Sequence, residues 1–387
     1  MLQPGQTLGI IGGGQLGRML AQEARVGGYR VVVFTDGYPP SPAGQVADRE
    51  INAHYYDTEA TSDFISEVDV VTMEFENIPS EFVEAVEQRR PVFPRRNALY
   101  VCQNREREKS FLLKQGIPHA EFQVVDSAES LAAAVSEIGT GCMLKTASFG
   151  YDGKGQFRLT GEENMTEIWE HFGAPRGVVE KLIDFQCELS VVAARGQDGS
   201  FVSFPVGENI HRNQILDITI APARVAPEIA VQAAEIARAV AESLDYVGTL
   251  GVELFLTTSG ELLVNEIAPR PHNSGHHTID ACVNNQFEQQ LRAVAGIPLG
   301  DTTQHTPAVM VNLLGDVWPE DEETGVRSHP DWDAVLSHPQ AKLHLYGKRS
   351  AVAGRKMGHF TVLGNSIDDA FASAMSLRAS LGFVEEA

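Results

Sequence analysis

The chain has 387 residues, 43% of them apolar and 21% charged, a globular composition that excludes a stapled miniprotein and a disordered chain and leaves room for about two or three domains. Its 30 Lys and Arg against 52 Asp and Glu give a formal net charge of −22, a field that repels phosphate backbones and anionic lipid and so argues against nucleic acid and membrane surfaces as partners. An anionic small substrate must then be met by locally clustered cations.

In chain order, short apolar runs at Leu8 to Ile11, Val31 to Phe34 and Val68 to Met73 alternate with a helical stretch at Arg18 to Val26, the rhythm of βαβ units and a parallel sheet. Pro91, Pro94 and Arg95-Arg96 punctuate the end of this unit, and a charged helix from Asn104 to Gln115 follows. A helix over Ala128 to Ile138 and strands at Cys142 to Lys145, Phe157 to Leu159 and Val178 to Ile183 describe a small α+β unit. Between Glu228 and Leu244 the apolar positions recur at three- and four-residue spacing, which predicts a helix with one buried stripe. Strands at Pro307 to Leu314 and Lys342 to Tyr346 and a helix from Ile367 to Leu381 close the chain. Cys102, Cys142, Cys187 and Cys282 are far apart and form no CxxC pair. With no leader segment and no apolar run near the ~18 residues of a membrane span, the expectation is a soluble cytoplasmic protein.

Five motifs carry chemistry. Gly12, Gly14 and Gly17 match GxGxxG between a strand and a helix, and Asp36 closes the next strand where a dinucleotide fold places its ribose acid; this is an NAD or FAD signature, or a turn that only lets helix and strand pack closely. Ala147 to Gln156 holds three glycines around Lys154 and follows Lys145 on a strand, which suggests a flap over a phosphate, although a plain hairpin turn reads the same way. The runs Gly248 to Leu256 and Glu261 to Ala268 flank Thr257-Thr258-Ser259-Gly260. With Ser259-Gly260 as a two-residue loop, Glu253 would stand opposite Glu266, a like-charge pair that calls for a cation such as Mg²⁺, with Asn265 able to assist. The strip Ala268 to Thr278 is stiffened by Pro269 and Pro271, and its Arg270 can fork onto an oxyanion. His272, His276 and His277 have zinc-like spacing, but no helix can start cleanly through the prolines. Finally Lys348, Arg349, Arg355 and Lys356 form a basic cluster that invites an anion or only solvates the surface.

Together these strings resemble the ATP-grasp ligases, and among them the branch that carboxylates an aminoimidazole ribonucleotide in purine biosynthesis. The likeness is carried by Gly9 to Met19, Glu74 to Pro79, Gly150 to Gln156, Asn265 to His276 and Gly354 to His359. It implies an α/β and α+β architecture: a Rossmann-like pre-ATP-grasp parallel-sheet domain over 1–100, an ATP-grasp domain over 101–299 with its flap subdomain at about 115–180, and a small C-terminal domain over 300–387. It implies that ATP is held by Arg105, Lys145, the flap Gly150, Tyr151, Asp152, Gly153, Lys154, Gly155 and Gln156, the hinge Glu180, Lys181, Leu182 and Ile183 with Glu180 and the backbone reading adenine, Glu188 on the ribose, His211, Asn265 and Glu266. Glu253 and Glu266 would hold Mg²⁺. Gly14, Gln15, Leu16, Glu74, Asn77, Asp152, His272, Asn273, Lys348 and Arg355 would shape the ribonucleotide site, the last two taking its phosphate, with Arg270 on bicarbonate or carboxyphosphate and Asp152 orienting the amine.

The implied reaction is ATP- and bicarbonate-dependent carboxylation of 5-aminoimidazole ribonucleotide through carboxyphosphate, with release of ADP and phosphate, by a cytoplasmic homodimer. The rivals are a formate-using or biotin-carboxylase-like ATP-grasp ligase, which the 265–278 strip disfavours, a dinucleotide oxidoreductase, which leaves Glu253, Glu266 and the flap without purpose, and a non-catalytic ATP-binding protein.

Overall fold

A computed structural model describes residues 1–139, 141–148, 155–321, 324, 325 and 327–383. The first unit is a parallel sheet of β1 (Thr7–Ile11), β2 (Arg30–Thr35), β3 (Arg49–Asn52), β4 (Val70–Met73) and β5 (Val92–Phe93) in the order β3-β2-β1-β4-β5. β1 is buried along its whole length because helices cover both faces, which is why it reads as an unbroken apolar run. Those helices are α1 (Gln15–Val26), α2 (Thr58–Glu67) and α3 (Ser80–Glu87), and the short α4 (Arg96–Cys102) leads out of the unit. The expected βαβ rhythm and its parallel pairing are present. β3, β5 and α2 to α4 were not expected from the sequence.

The expected charged helix is α5 (Arg105–Gln115). Asn104 caps it by accepting from the Arg107 amide at 3.0 Å, and Gly116 ends it at φ +67, a left-handed position that glycine adopts without strain. An antiparallel sheet follows, β6 (Phe122–Val125), β7 (Cys142–Thr146), β8 (Gln156–Leu159) and β9 (Gly177–Lys181) in the order β6-β9-β7-β8, with α6 (Ala128–Ile138) and α7 (Met165–Phe172) packed on it. β9 ends at Lys181, so Leu182 and Ile183, expected on the strand, lie in the link to the next sheet.

That sheet joins β10 (Phe185–Arg195), β11 (Phe201–Ser203), β12 (Gly207–Arg212), β13 (Ile215–Ala221), β14 (Gly248–Thr257) and β15 (Leu262–Ala268). It runs on without a break through β16 (Ala308–Leu314), β17 (Ala341–Leu345) and β18 (Lys356–Leu363), in the order β15-β14-β10-β12-β13-β16-β18-β17. Residues 354–359, expected only as a basic cluster, are therefore largely the start of a core strand with Met357 and His359 buried. On one face, Leu189, Val191, Val252 and Leu254 pack against the apolar stripe of α8 (Pro227–Ser243), as its periodicity predicts. The opposite face carries the polar residues described below. Helices α9 (Thr278–Ala281) and α10 (Gln286–Ala295) follow β15, and Phe287, Leu291 and Val294 of α10 join the core of the N-terminal unit, so the two sheets are docked through a shared apolar layer. α11 (Asp333–Ser337) and α12 (Ile367–Ser380) complete the chain. Among the described residues no helix is long and apolar enough to cross a membrane.

The β14–β15 hairpin reaches the expected Glu253–Glu266 pairing by a different route. The Thr257 amide donates to Glu261 O at 2.9 Å, so the loop spans Thr258 to Gly260, and next to it Leu256 pairs with Leu262 and Leu254 with Val264. A bulge at Asn265 then inserts one residue and brings Glu266 opposite Glu253.

Candidate active site

The centre of the site is Glu180 on β9, whose side chain is only 4% exposed. Lys145 on β7 donates to Glu180 Oε2 at 3.0 Å, Lys109 Nζ lies 3.5 Å from the same oxygen, and Arg105 Nε lies 3.6 Å from Oε1. Burial alone would push the Glu180 carboxyl up, but Lys109, Lys145 and Arg105 outweigh it and hold the group at about 2. Arg105 NH2 also comes within 3.5 Å of Glu266 Oε2. Three cations thus surround one buried carboxylate and the edge of a second, an excess of positive charge that suits an anion such as a polyphosphate. Glu180, expected to read adenine, has its carboxylate inside this cation cluster, because Lys145 sits one strand away on the same sheet face.

Lys109 and Glu108, which the sequence reading passed over as part of a charged helix, are both buried. They serve the Asn265 bulge. Lys109 donates to Asn265 O at 2.9 Å, and the Ile267 amide donates to Glu108 Oε2 at 3.0 Å, so the irregular backbone around Glu266 has partners. Burial pushes the Glu108 carboxyl up to about 8. The only signal available in sequence was an adjacent Glu-Lys pair in a helix without an amphipathic stripe.

Glu253 and Glu266 face each other beside this cluster. Burial first, then the Glu266 charge, raises the Glu253 pKa, and His272 Nε2 lies 3.5 Å from Glu253 Oε1. On the neighbouring strands Glu188 Oε2 lies 3.1 Å from His211 Nδ1; burial opposes protonation of that imidazole, but Glu188 and Glu253 prevail and raise its pKa. Arg105 is held at the foot of the flap: its amide donates to Ala147 O at 2.7 Å, and Asn104 Nδ2 donates to Ser148 Oγ at 2.8 Å. Gln156 opens β8 opposite Lys145, Gly155 just before it accepts from the Thr146 amide at 3.0 Å, and Gly150, Tyr151, Asp152, Gly153 and Lys154 lie outside the described residues.

The second half of the site lies at the start of α1. The Gly14 and Gly17 amides donate to Glu74 Oε1 and Oε2 at 2.5 and 3.0 Å, so the helix N-terminus already holds a buried carboxylate where a dinucleotide would place its pyrophosphate. A Cβ on Gly14 would stand 2.5 Å from Glu74 Oε1. The dinucleotide alternative loses its phosphate seat here. Gln15 and Leu16 form the first turn behind it, and Asn77 is exposed nearby with Glu76.

Arg270, expected to hold bicarbonate, is already forked onto Glu76, Nε to Oε2 at 2.5 Å and NH2 to Oε1 at 3.3 Å, with NH1 on Pro271 O. This partner was not foreseen. Lys348 donates to Lys356 O at 2.6 Å, and Arg355 turns back onto Ser350. Their segment is pinned to the N-terminal unit, since Gln45 donates to Gly347 O at 2.8 Å and Arg349 to Pro39 O. Of the three histidines with zinc-like spacing, His276 Nδ1 meets Gln286 at 3.1 Å and His277 Nδ1 meets Ser274 O at 2.9 Å, so they do not converge with His272 on one point. Asn273 is buried, and neither atom of its side-chain amide is hydrogen-bonded among the described residues.

Residues 5–103 match the ribonucleotide synthetase preATP-grasp domain, 110–287 the ATP-grasp domain and 308–373 the phosphoribosylaminoimidazole carboxylase C-terminal domain. The N5-carboxyaminoimidazole ribonucleotide synthase of Bacillus subtilis (strain 168) is 44% identical over 369 residues, covering 95% of this chain and 94% of that protein. A synthetase of the same name crystallised with ADP is 42% identical, with a TM-score of 0.90 over 98% of this chain and 97% of that one. The Aspergillus clavatus enzyme, crystallised with ADP and 5-aminoimidazole ribonucleotide, is 31% identical with a TM-score of 0.88 over 98% and 100% of the two chains.

Proposed function

The chain belongs to the N5-carboxyaminoimidazole ribonucleotide synthase family of ATP-grasp ligases, and from that premise we propose that it carboxylates 5-aminoimidazole ribonucleotide with ATP and bicarbonate in purine biosynthesis. The observation that carries this reading is the buried cluster of Arg105, Lys109 and Lys145 beside the opposed Glu253 and Glu266.

In this scheme Lys145, Arg105 and Lys109 neutralise the ATP phosphates. Bicarbonate oxygen attacks the γ-phosphorus, the bond to ADP breaks, and the exocyclic amine attacks the resulting carboxyphosphate carbon, expelling phosphate and giving up one proton. Such a reaction needs positioning and electrostatics more than covalent help from the protein. Glu253 and Glu266, with the Asn265 amide oxygen, would make an oxygen-only donor set that fits Mg²⁺, and burial, then the facing Glu266 charge, raises the Glu253 pKa. When bound, Mg²⁺ would screen the phosphate charge and favour in-line transfer. Glu188 and His211 are assigned to the nucleoside, as are the backbone groups of Glu180 to Ile183. Gly14, Gln15, Leu16, Glu74, Asn77, His272 and Asn273 are assigned to the ribonucleotide, with Lys348 and Arg355 toward its phosphate. Arg270, held by Glu76, keeps a guanidinium edge for the bicarbonate-derived carboxyl group. From its motif alone, Asp152 would orient the amine. We further assign the protein to the cytoplasm and to a homodimer.

The test is ADP release with Mg-ATP, measured with and without bicarbonate and with and without 5-aminoimidazole ribonucleotide. Release that needs both co-substrates and collapses in Glu266→Gln supports the assignment. Release indifferent to the ribonucleotide removes it.

A further inference from the structure

We propose that Gln286, at the first turn of α10 and outside every residue assigned above, is a positioning residue that holds the Arg270–His276 strip in register with the carboxylate pair. The inference rests on the functional reading just given. Its starting point is how the strip obtains its backbone partners. Beyond Ala268 the chain leaves β15, and Pro269 and Pro271 have no amide to offer a ladder. His272, the first residue after them, has both its amide and its carbonyl bonded to one side chain, the carbonyl accepting also from the Gly275 amide at 3.0 Å. Its amide donates to Gln286 Oε1 at 2.8 Å, and its carbonyl accepts from Gln286 Nε2 at 2.8 Å. The carboxamide therefore pairs with His272 as a neighbouring strand would. Its remaining N–H points to His276 Nδ1 at 3.1 Å, so every polar valence of the amide except one oxygen lone pair is spent on the strip.

Gln286 is itself rigidly placed. It is fully buried, its amide donates to Thr278 Oγ1 at 3.1 Å, and its carbonyl accepts from Thr249 Oγ1 at 3.0 Å. Asn285 caps the helix through the Phe287 and Glu288 amides at 2.8 and 2.9 Å, and the far side of α10 belongs to the N-terminal core. The strip is fitted around the clamp. A Cβ on Gly275 would stand 2.7 Å from Gln286 Oε1, and one on Gly251 would stand 2.6 Å from His272 Cβ. Gly251 is two residues before Glu253, so this close seat sets the imidazole beside that carboxylate. The next residue is Asn273, whose buried side-chain amide has no hydrogen-bond partner among the described residues. A ligand contact made through that amide depends on where the clamp leaves the backbone.

Gln286→Glu keeps the shape and the acceptor but sets a carboxylate against His272 O. Its expected signature is a KM for 5-aminoimidazole ribonucleotide raised about tenfold or more with the KM for ATP within about twofold, since the Glu180 cluster does not touch Gln286. Equal loss for both substrates, or no change in either, overturns the proposal. A wild-type enzyme whose ADP release ignores the ribonucleotide overturns the functional reading instead. Should the variant fail to fold, hydrogen exchange on the ligand-free wild type decides: the peptide containing His272 should retain a strongly protected amide although it lies outside any strand, and loop-like exchange throughout it refutes the clamp.

Discussion

His276, His277 and His359 are buried together where β18 meets the strip after β15, and their ionisation gives a prediction whose size follows from the structure. His359 is stacked between His276 and His344 at centroid distances of 4.8 and 4.5 Å, and its Nδ1 meets Tyr346 Oη at 2.8 Å. Burial, reinforced by the neighbouring imidazoles, holds His276 and His359 well below 6.5, and burial brings His277 down to about 4. For a base whose folded pKa is depressed, the unfolded chain binds the extra proton. The stabilising contribution is therefore whole above 6.5 and is lost as pH falls below it. At about pH 5.5 each unfolded imidazole is about 0.9 protonated, so the three rings together take up about 2.7 protons on unfolding, a loss of about 4 kcal/mol relative to pH 8. Glu108, held up near 8, acts with the opposite sign, because the folded chain keeps a proton that the unfolded carboxylate releases. A difference between variants removes that offset. Proton uptake on unfolding in urea, measured in a pH-stat for wild type and His359→Gln, should be about 0.9 proton smaller in the variant at pH 5.5 and the same at pH 8. Equal uptake at both pH values would mean that His359 is already protonated when folded, and the reasoning from burial would fail.

Three further outcomes are expected. Lys109→Met deletes the buried cation that serves both Glu180 and the Asn265 bulge, so it should cost about 3–5 kcal/mol in urea titration and raise the KM for ATP, whereas Lys114→Met on the exposed end of the same helix should do neither. Gly14→Ala forces a methyl into the Glu74 carboxylate, and the KM for the ribonucleotide should rise at least about tenfold while ATP binding, followed by calorimetry, is retained. Glu76→Gln removes the charge that orients Arg270 and should cut kcat by about tenfold or more; unchanged kcat would show that Arg270 needs no anchor.

Much of the site was legible because its chemistry is written in local pairs. The two carboxylates stand on strands joined by a short turn, and the assumption of a two-residue loop placed them opposite each other on one sheet face. The register near the turn was nevertheless misjudged by one residue, and only the extra residue at Asn265 restored the pairing. Nothing local marks that bulge. Its supports, Lys109 and Glu108, come from a helix about 155 residues earlier, where burial of charge cannot be told from solvation of charge. The same holds for Arg270. Its partner Glu76 lies 194 residues away, so the free oxyanion fork expected from sequence is half of an ion pair. Residues 354–359 failed in the opposite direction: two adjacent cations hid the start of a strand buried at every position from Met357 to Val362, with Met357, Phe360 and Val362 in the C-terminal core.

The glycine-rich turn shows why a motif can be correctly located and still mislead. Gly12, Gly14 and Gly17 do what such glycines do physically: they free helix amides and clear space for an anion at the N-terminus of α1. The anion that arrives is Glu74, the residue just after β4, which runs beside β1 in the same sheet. Strand order thus brings a carboxylate to the seat that a pyrophosphate takes in a dinucleotide fold. Burial pushes the Glu74 pKa up, while the two amides and, farther off, Arg270 and Lys348 pull it down. The seat is therefore both polar and poised beside the Lys348 segment. A site built this way presents a carboxylate, and not bare amides, to what binds above it, and so favours hydroxyl and amine donors over phosphate. On the function proposed above, that selectivity suits a ribose and an exocyclic amine, with the phosphate assigned to Lys348 and Arg355.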